Sequence, residues 1–249
     1  MQEYNLKKYL SKYSSSTVDF FRFKGNYGDS LIWHGTMKLL FNLGIKVNYV
    51  DLPSKNKYEV LFIDGGGNFV DYYDDVRDFL TAKPALYREI VILPHTIFGD
   101  KQIDILNNMQ SDMTIFCREM ISAKFVEDNF KNGKVYLWCD CAFYNSFSDA
   151  GKGDGALNAF RLDQESLLPE QPNPNVDISY SGYATKPLDE FLGILKQYAQ
   201  INTDRLHVAI AATLLGKQVK LYPNSYYKNK AVFEYSLKKF PNIEFVEEL

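Results

Sequence analysis

The ten residues Leu206–Leu215, LHVAIAATLL, limit the fold of this chain more than any other stretch. Leu206, Val208, Ala209, Ile210, Ala211, Ala212, Leu214 and Leu215 leave almost no polar side, and a helix that is apolar all round must be packed inside a core. Gly216 supplies a left-handed stop, and Val219, Leu221 and Tyr222 read on as a strand. Thr203 or Asp204 is expected to cap the helix by accepting from backbone N–H groups that lack an intrahelical partner. A helix of this kind needs a sheet to cover it. With 249 residues the chain can build one large α/β domain or two small ones.

Two charged or titratable residues stand at the mouth of this apolar helix, Arg205 and His207. A helix start already carries free N–H groups and the positive end of the macrodipole, so a cation there opposes the dipole and calls for an anion. Arg205 offers a fork for a carboxylate or phosphate, and His207 offers a proton that titrates near neutrality. Taken singly, Arg205 reads as the partner of a neighbouring acid such as Asp204, and His207 as a satisfied, partly buried imidazole. Taken together at one helix mouth they read as an anion site.

The bulk properties narrow the classes. A net charge of -3 with no basic stripe gives no footprint for nucleic acid. The 18 Tyr and 18 Phe suit sugar-binding grooves as well as a core. Cys117, Cys139 and Cys141 form neither a disulfide framework nor a zinc site and read as small buried hydrophobes. The polar N-terminus is unlike a signal peptide, and no apolar run is long enough to cross a bilayer. The expected compartment is therefore the cytoplasm, with peripheral contact at the inner face of the membrane left open.

From Val18 onward the chain alternates strand and helix. Strand candidates are 18–23, 47–50, 60–63, 90–93, 113–117 and 135–138, with helices at 30–42, 75–82, 101–109 and 119–130 between them. Such repeated units build a parallel sheet with helices on both faces. The first strand runs into Gly25-Asn26-Tyr27-Gly28-Asp29, where backbone can approach a ligand. Asp29 is a candidate general base or else a helix cap. Val60–Ile63 runs into Gly65-Gly66-Gly67-Asn68, and His95 and Arg118 follow later strands as candidate ligand contacts. Around residue 145 the chain turns polar and glycine-rich, which divides it into an N-terminal half, 1–143, and a smaller C-terminal α/β half, 144–249. A helix at 188–199, a second at 228–240 and a strand at 243–246 complete that half.

Several of these pieces, in this order, resemble the polysaccharide pyruvyl transferases. They are Gly25-Asn26-x-Gly28-Asp29, Gly65-Gly66-Gly67-x-Phe69, Ile92-Leu93-Pro94, Arg118, Asp140-x-Ala142-Phe143, Arg161-x-Asp163-x-Glu165-Ser166, Thr203-Asp204-Arg205-Leu206-His207 with Gly216-Lys217, and Tyr227-x-Asn229. The resemblance implies two Rossmann-like domains facing a cleft, similar to the B-type glycosyltransferase fold. It implies transfer of the enolpyruvyl unit of phosphoenolpyruvate onto two hydroxyls of a sugar, free or lipid-linked, to give a pyruvate ketal. No cofactor is implied, and no carboxylate–histidine cluster calls for a metal.

Carried onto this sequence, the resemblance places Arg205, His207 and the backbone at Leu206 on phosphoenolpyruvate. Arg161 matches the second donor arginine, with Arg118 the alternative. Asn26, Gly28, Gly66, Gly67, Asn68, His95, Tyr227 and Asn229 line the substrates. His207 is the general acid/base and Asp29 the candidate base for the acceptor. The competing reading is a glycosyltransferase of the same fold using a nucleotide sugar, with Glu165 or Glu234 on the ribose. The oligomeric state is left open.

Overall fold

The computed structural model describes residues 2–23, 25–51, 57–82, 87–148, 151–179 and 187–247. It contains two compact units, residues 1–23 with 35–144 and residues 24–34 with 145–249. The glycine-containing segment after the first strand, and the first turns of the helix it opens, therefore belong to the second unit.

The first unit is built on a parallel sheet of seven strands. These are β1 (Thr17–Phe21), β2 (Lys46–Tyr49), β3 (Val60–Ile63), β4 (Gly66–Val70), β5 (Glu89–Phe98), β6 (Asp112–Cys117) and β7 (Gly133–Leu137). The order is β2-β1-β3-β5-β6-β7, with β4 also paired to β5. Helices α1 (Leu6–Leu10), α2 (Tyr27–Asn42), α3 (Asp75–Thr81), α4 (Asp100–Asn107) and α5 (Met120–Asn129) intervene in the chain. The runs VLFI of β3 and EIVIL of β5 are buried on both faces, as strands in the middle of a covered parallel sheet must be.

Strand β5 corrects two expectations. It does not end at Leu93 but runs to Phe98, so His95 sits within a strand and not in a loop. Pro94 has no N–H to give, and the ladders make room for it: β3 pairs with β5 as far as Ile92, β4 takes over at His95, and the register with β6 breaks between Ile92 and His95. The glycine run is likewise largely strand. Only Asp64 and Gly65 separate β3 from β4, and both strands lie along the same side of β5.

The second unit has a parallel sheet ordered β11-β10-β9-β8, made of β8 (Ala156–Asn158), β9 (Gln200–Thr203), β10 (Gln218–Leu221) and β11 (Ile243–Phe245). Helix α6 (Leu188–Lys196) precedes β9, and α7 (Leu206–Leu214) links β9 to β10. Helix α8 (Lys228–Val232) continues as a π-helical turn, Phe233–Leu237, before β11. Helix α7 is the apolar helix of the sequence, and all its residues from Val208 to Thr213 are buried. Gly216 follows it with φ +76°, the left-handed stop expected there.

Gly133 tests the packing of the first sheet. A Cβ at this position would meet the Met113 carbonyl oxygen across the β6–β7 ladder and come within 2.7 Å of the Phe130 ring. Gly133→Ala is expected to destabilise the protein by about 1–3 kcal/mol, read as a lower midpoint in chemical denaturation.

Candidate functional site

In the second unit, the residues singled out by sequence gather beyond the carboxyl ends of three adjacent strands, where ligands bind in open α/β sheets. Arg161 follows β8, Arg205 and His207 follow β9, and Tyr227 and Asn229 follow β10. Helix α7 starts only two residues after β9, and this sharp turn sets the local geometry. The Thr203 hydroxyl donates to the Ala159 carbonyl at 2.7 Å and accepts from the Arg205 N–H at 3.0 Å, so it braces the turn. Arg205 is the N-cap residue, with extended backbone, and no side chain caps the helix.

The expected cap by Thr203 or Asp204 is therefore absent. Asp204 turns instead toward the exit of β8, where its Oδ1 accepts from the Arg161 N–H at 2.8 Å. Burial outweighs that bond and raises its carboxyl to about 6. Asn229 ties this turn to β10, donating to the Asp204 carbonyl at 2.6 Å and the Tyr222 carbonyl at 2.9 Å. Tyr227 is the N-cap residue of α8, with its ring edge-on to Tyr226 at 5.6 Å.

The cations on this rim are joined in a buried chain of ion pairs. Asp177 grips one edge of the Arg205 guanidinium, with Oδ1 against Nε and Oδ2 accepting from Nη2 at 2.6 Å. Asp163 Oδ2 also accepts from that Nη2, at 3.2 Å. Arg161 donates Nε and Nη2 to the two oxygens of Asp163, at 2.6 and 3.0 Å, and Nη1 to Glu165 at 2.6 Å. Glu165 Oε2 accepts also from Lys228, at 2.7 Å, and Asn224, at 3.2 Å. Burial works to raise the Asp163 carboxyl, and the two arginines hold it below its usual value. Glu165, a candidate for holding a ribose, thus has its Oε2 engaged by Arg161, Lys228 and Asn224, while Glu234 pairs with Lys238 on the helix surface. Asp177 and Lys228 were not legible as members of the site. Asp177 lies 28 residues from Arg205 in a proline-rich stretch without periodicity, and only folding brings it to the guanidinium.

The Gly25–Asp29 motif completes the rim of this unit. Asn26 Oδ1 accepts from the Gly28 N–H at 2.8 Å, and Asp29 Oδ2 accepts from the Asn26 N–H at 2.8 Å. This is a reciprocal capping box at the start of α2, so the carboxylate of Asp29 caps the helix. Gly28 is held to glycine by its neighbours: a Cβ there would lie 2.9 Å from His207 Nδ1 and 3.0 Å from Asn26 Oδ1. Tyr27 anchors the turn, donating to Glu190 at 2.8 Å and stacking on Phe191 at 5.3 Å. Asn26, Gly28, Asp29 and His207 are thereby brought together.

The remaining candidates lie in the first unit: Gly66, Gly67 and Asn68 in β4, His95 within β5, and Arg118 directly after β6. His95 is fully buried. Burial, then the charge of Arg118, lower its pKa to about 3, so it is neutral. Its Nδ1 lies 3.2 Å from the Asp64 carbonyl and its Nε2 3.0 Å from the Asn68 carboxamide. Both facing atoms, the Asp64 carbonyl and the Asn68 Oδ1, are acceptors, so the single N–H of the neutral ring donates to one of them. Gly66 pairs with His95 in the ladder, and Gly67 follows in β4. Arg118 is 1% exposed and donates to Thr96 at 2.8 Å and Asp140 at 2.8 Å. Both His95 and Arg118 act on protein neighbours in the interior.

Comparison with known proteins agrees with this arrangement of motifs. The profile of the polysaccharide pyruvyl transferase family matches residues 26–226. A Bacillus subtilis (strain 168) protein carrying the name "Putative pyruvyl transferase EpsO" is 22% identical over 275 aligned residues, covering 90% of this chain and 85% of its own. The crystal structure of a functionally uncharacterised Klebsiella pneumoniae protein, KP1_0663, superposes with a TM-score of 0.80 at 31% identity and 97% coverage of both chains. The chain belongs to the polysaccharide pyruvyl transferase family. It is a transferase of pyruvyl groups, with polysaccharide as the acceptor class.

Two outcomes follow from this geometry. Gly28→Ala pushes the His207 imidazole aside, and transferase turnover is expected to fall about tenfold to a hundredfold, with the circular dichroism spectrum unchanged. The second concerns pH. The unfolded chain protonates residue 95 near pH 6.5, the folded protein only near pH 3, so the stability due to neutral His95 is full above 6.5 and lost as pH falls toward 3. Asp204 acts in the opposite sense between about pH 4 and 6, because its folded carboxyl retains a proton that the unfolded chain releases. Comparing wild type with His95→Gln cancels the Asp204 contribution. The gap in melting temperature between them is expected to narrow steadily from pH 7 to pH 4.

Proposed function

We propose that the enzyme takes the enolpyruvyl group of phosphoenolpyruvate and closes it as a pyruvate ketal on two hydroxyls of a sugar in a surface or exopolysaccharide precursor. The observation that carries this reading is the start of α7, where a buried helix with no side-chain cap presents Arg205 and His207. Phosphoenolpyruvate brings a carboxylate and a phosphate, which match a guanidinium and a row of helix N–H groups. Arg205 Nη1 takes no part in the ion pairs described above and is the edge offered to the donor.

In this mechanism His207 delivers a proton to the methylene carbon, which becomes the methyl group. The first sugar hydroxyl bonds to C2, and its proton passes to a base, a role proposed for Asp29 in addition to its capping of α2. The C2–O bond to phosphate then breaks, and the second hydroxyl attacks C2, its proton leaving with inorganic phosphate. Arg161 shapes the donor side through the acids it holds, and Arg118 supports the first unit from within. In the terms of a B-type glycosyltransferase fold, the second unit is the donor half. The first unit, with Gly66, Gly67 and Asn68, serves the acceptor, whether a free or a lipid-linked oligosaccharide presented at the inner face of the membrane. Among the described residues no helix is long and apolar enough to cross a membrane. Nothing favours the nucleotide-sugar reading, since Glu165 is occupied by two cations and Asn224.

The test is incubation with phosphoenolpyruvate and a panel of galactosides, mannosides and glucosides, following product mass and free phosphate. The expected result is a product heavier than the acceptor by one ketal, with one phosphate released per product. Arg205→Ala is expected to abolish turnover, and His207→Gln to lower it about 10²- to 10⁴-fold. Activity left unchanged in Arg205→Ala would refute the assigned donor site.

A further inference from the structure

We propose that Asp177 is a positioning residue that sets the orientation of Arg205, so that the chain of ion pairs Lys228–Glu165–Arg161–Asp163–Arg205–Asp177 works as a rigid mount for the one guanidinium that meets the donor. The inference rests on the donor site proposed above. Arg205 is 6% exposed, and its guanidinium is gripped along the Nε/Nη2 edge by both oxygens of Asp177. A planar fork held on two parallel bonds cannot rotate, and so its remaining edge points one way only.

Asp177 is itself fixed by backbone: its Oδ2 accepts from the Leu162 N–H at 3.0 Å and its Oδ1 from the Ser179 N–H at 3.3 Å. The Leu162 bond fastens the Asp177 segment to the strand exit that carries Arg161. Arg161 in turn commits three of its nitrogens to Asp163 and Glu165. On this reading Arg161, with three nitrogens committed, braces the network, and Arg205, with Nε and Nη2 committed, turns Nη1 to the donor. Asp163 adds a weaker third bond to Arg205 and is shared with Arg161, which leaves Asp177 as the member dedicated to the contacting residue.

Two physical effects of removing the Asp177 charge have opposite signs, which makes the proposal testable. If Asp177 only neutralised Arg205, its loss would strengthen the local positive field, and phosphoenolpyruvate would bind more tightly. If it orients Arg205, its loss frees the guanidinium and binding weakens.

The experiment uses the full chain and compares wild type, Asp177→Asn, Arg205→Gln and the double variant. First, the Nε–Hε signal of Arg205 is followed by 15N NMR without substrate. A resolved, slowly exchanging signal in wild type that is lost in Asp177→Asn is expected, and an unchanged signal would overturn the proposal. Second, steady-state kinetics on phosphoenolpyruvate are expected to show KM raised about tenfold or more in Asp177→Asn, with kcat changed far less. A lowered KM would also overturn the proposal. Third, in the Arg205→Gln background the Asp177→Asn change is expected to have no further effect on the dissociation constant for phosphoenolpyruvate, measured by calorimetric titration. The double variant leaves no unpaired buried charge, so it serves also if Asp177→Asn alone fails to fold. An additive effect there would show that Asp177 acts on something other than Arg205. If wild type neither binds nor turns over phosphoenolpyruvate, the donor assignment fails, while the NMR comparison still decides whether Asp177 holds Arg205.

Discussion

A helix buried on all sides has nowhere to discharge the unsatisfied N–H groups of its first turn except a ligand, a cap or a water-filled opening. In this transferase α7 follows its strand after only two residues, and the residue at the cap position is an arginine and not an acceptor. The short turn leaves Thr203 facing backward to brace β8 and sends Asp204 sideways to the Arg161 N–H. The helix start is therefore electropositive by construction. Most other features of the second unit can be read as devices for keeping that positive end in place.

The ion pairs are the chief of these devices. Isolated charges in a protein interior are expensive, and a pair is retained only where geometry and extra hydrogen bonds offset desolvation. Arg161, Arg205 and Lys228 are offset by Asp163, Glu165 and Asp177, and each acid accepts more than one bond. A balanced network of this kind adds little to the drive for folding, but it leaves very few geometries open to each guanidinium. Asp204, with its raised pKa, stands at the edge of this balance as an acid that need not be charged to do its work.

The first unit shows the same logic in another form. Its polar interior is closed upon itself: Arg118 is paired with Asp140, neutral His95 spans from the Asp64 carbonyl to Asn68, and Pro94 is accommodated by a break in both neighbouring ladders. Among these groups Asn68 is only partly buried, with its Oδ1 facing His95 Nε2.

Much of this was written in local patterns. The alternation of strand and helix, the apolar α7, its glycine stop and the order of the family motifs all depend on spacing within a few residues, which a sequence displays directly. The capping of a helix start by Asp29 was legible for the same reason. What folding alone decided was partnership across distance. Nothing near Arg205 marks Asp177 as its counter-ion, and nothing near Gly28 announces that His207 occupies the space of its missing side chain. The strand through Pro94 was hidden as well, because proline signals a break and only the paired neighbours show that the break is in the ladder and not in the strand. Periodicity follows from backbone geometry and is local, so sequence determined the elements. Charge pairing and close packing join residues from separate strand exits, so only the tertiary structure determined which acid holds which arginine.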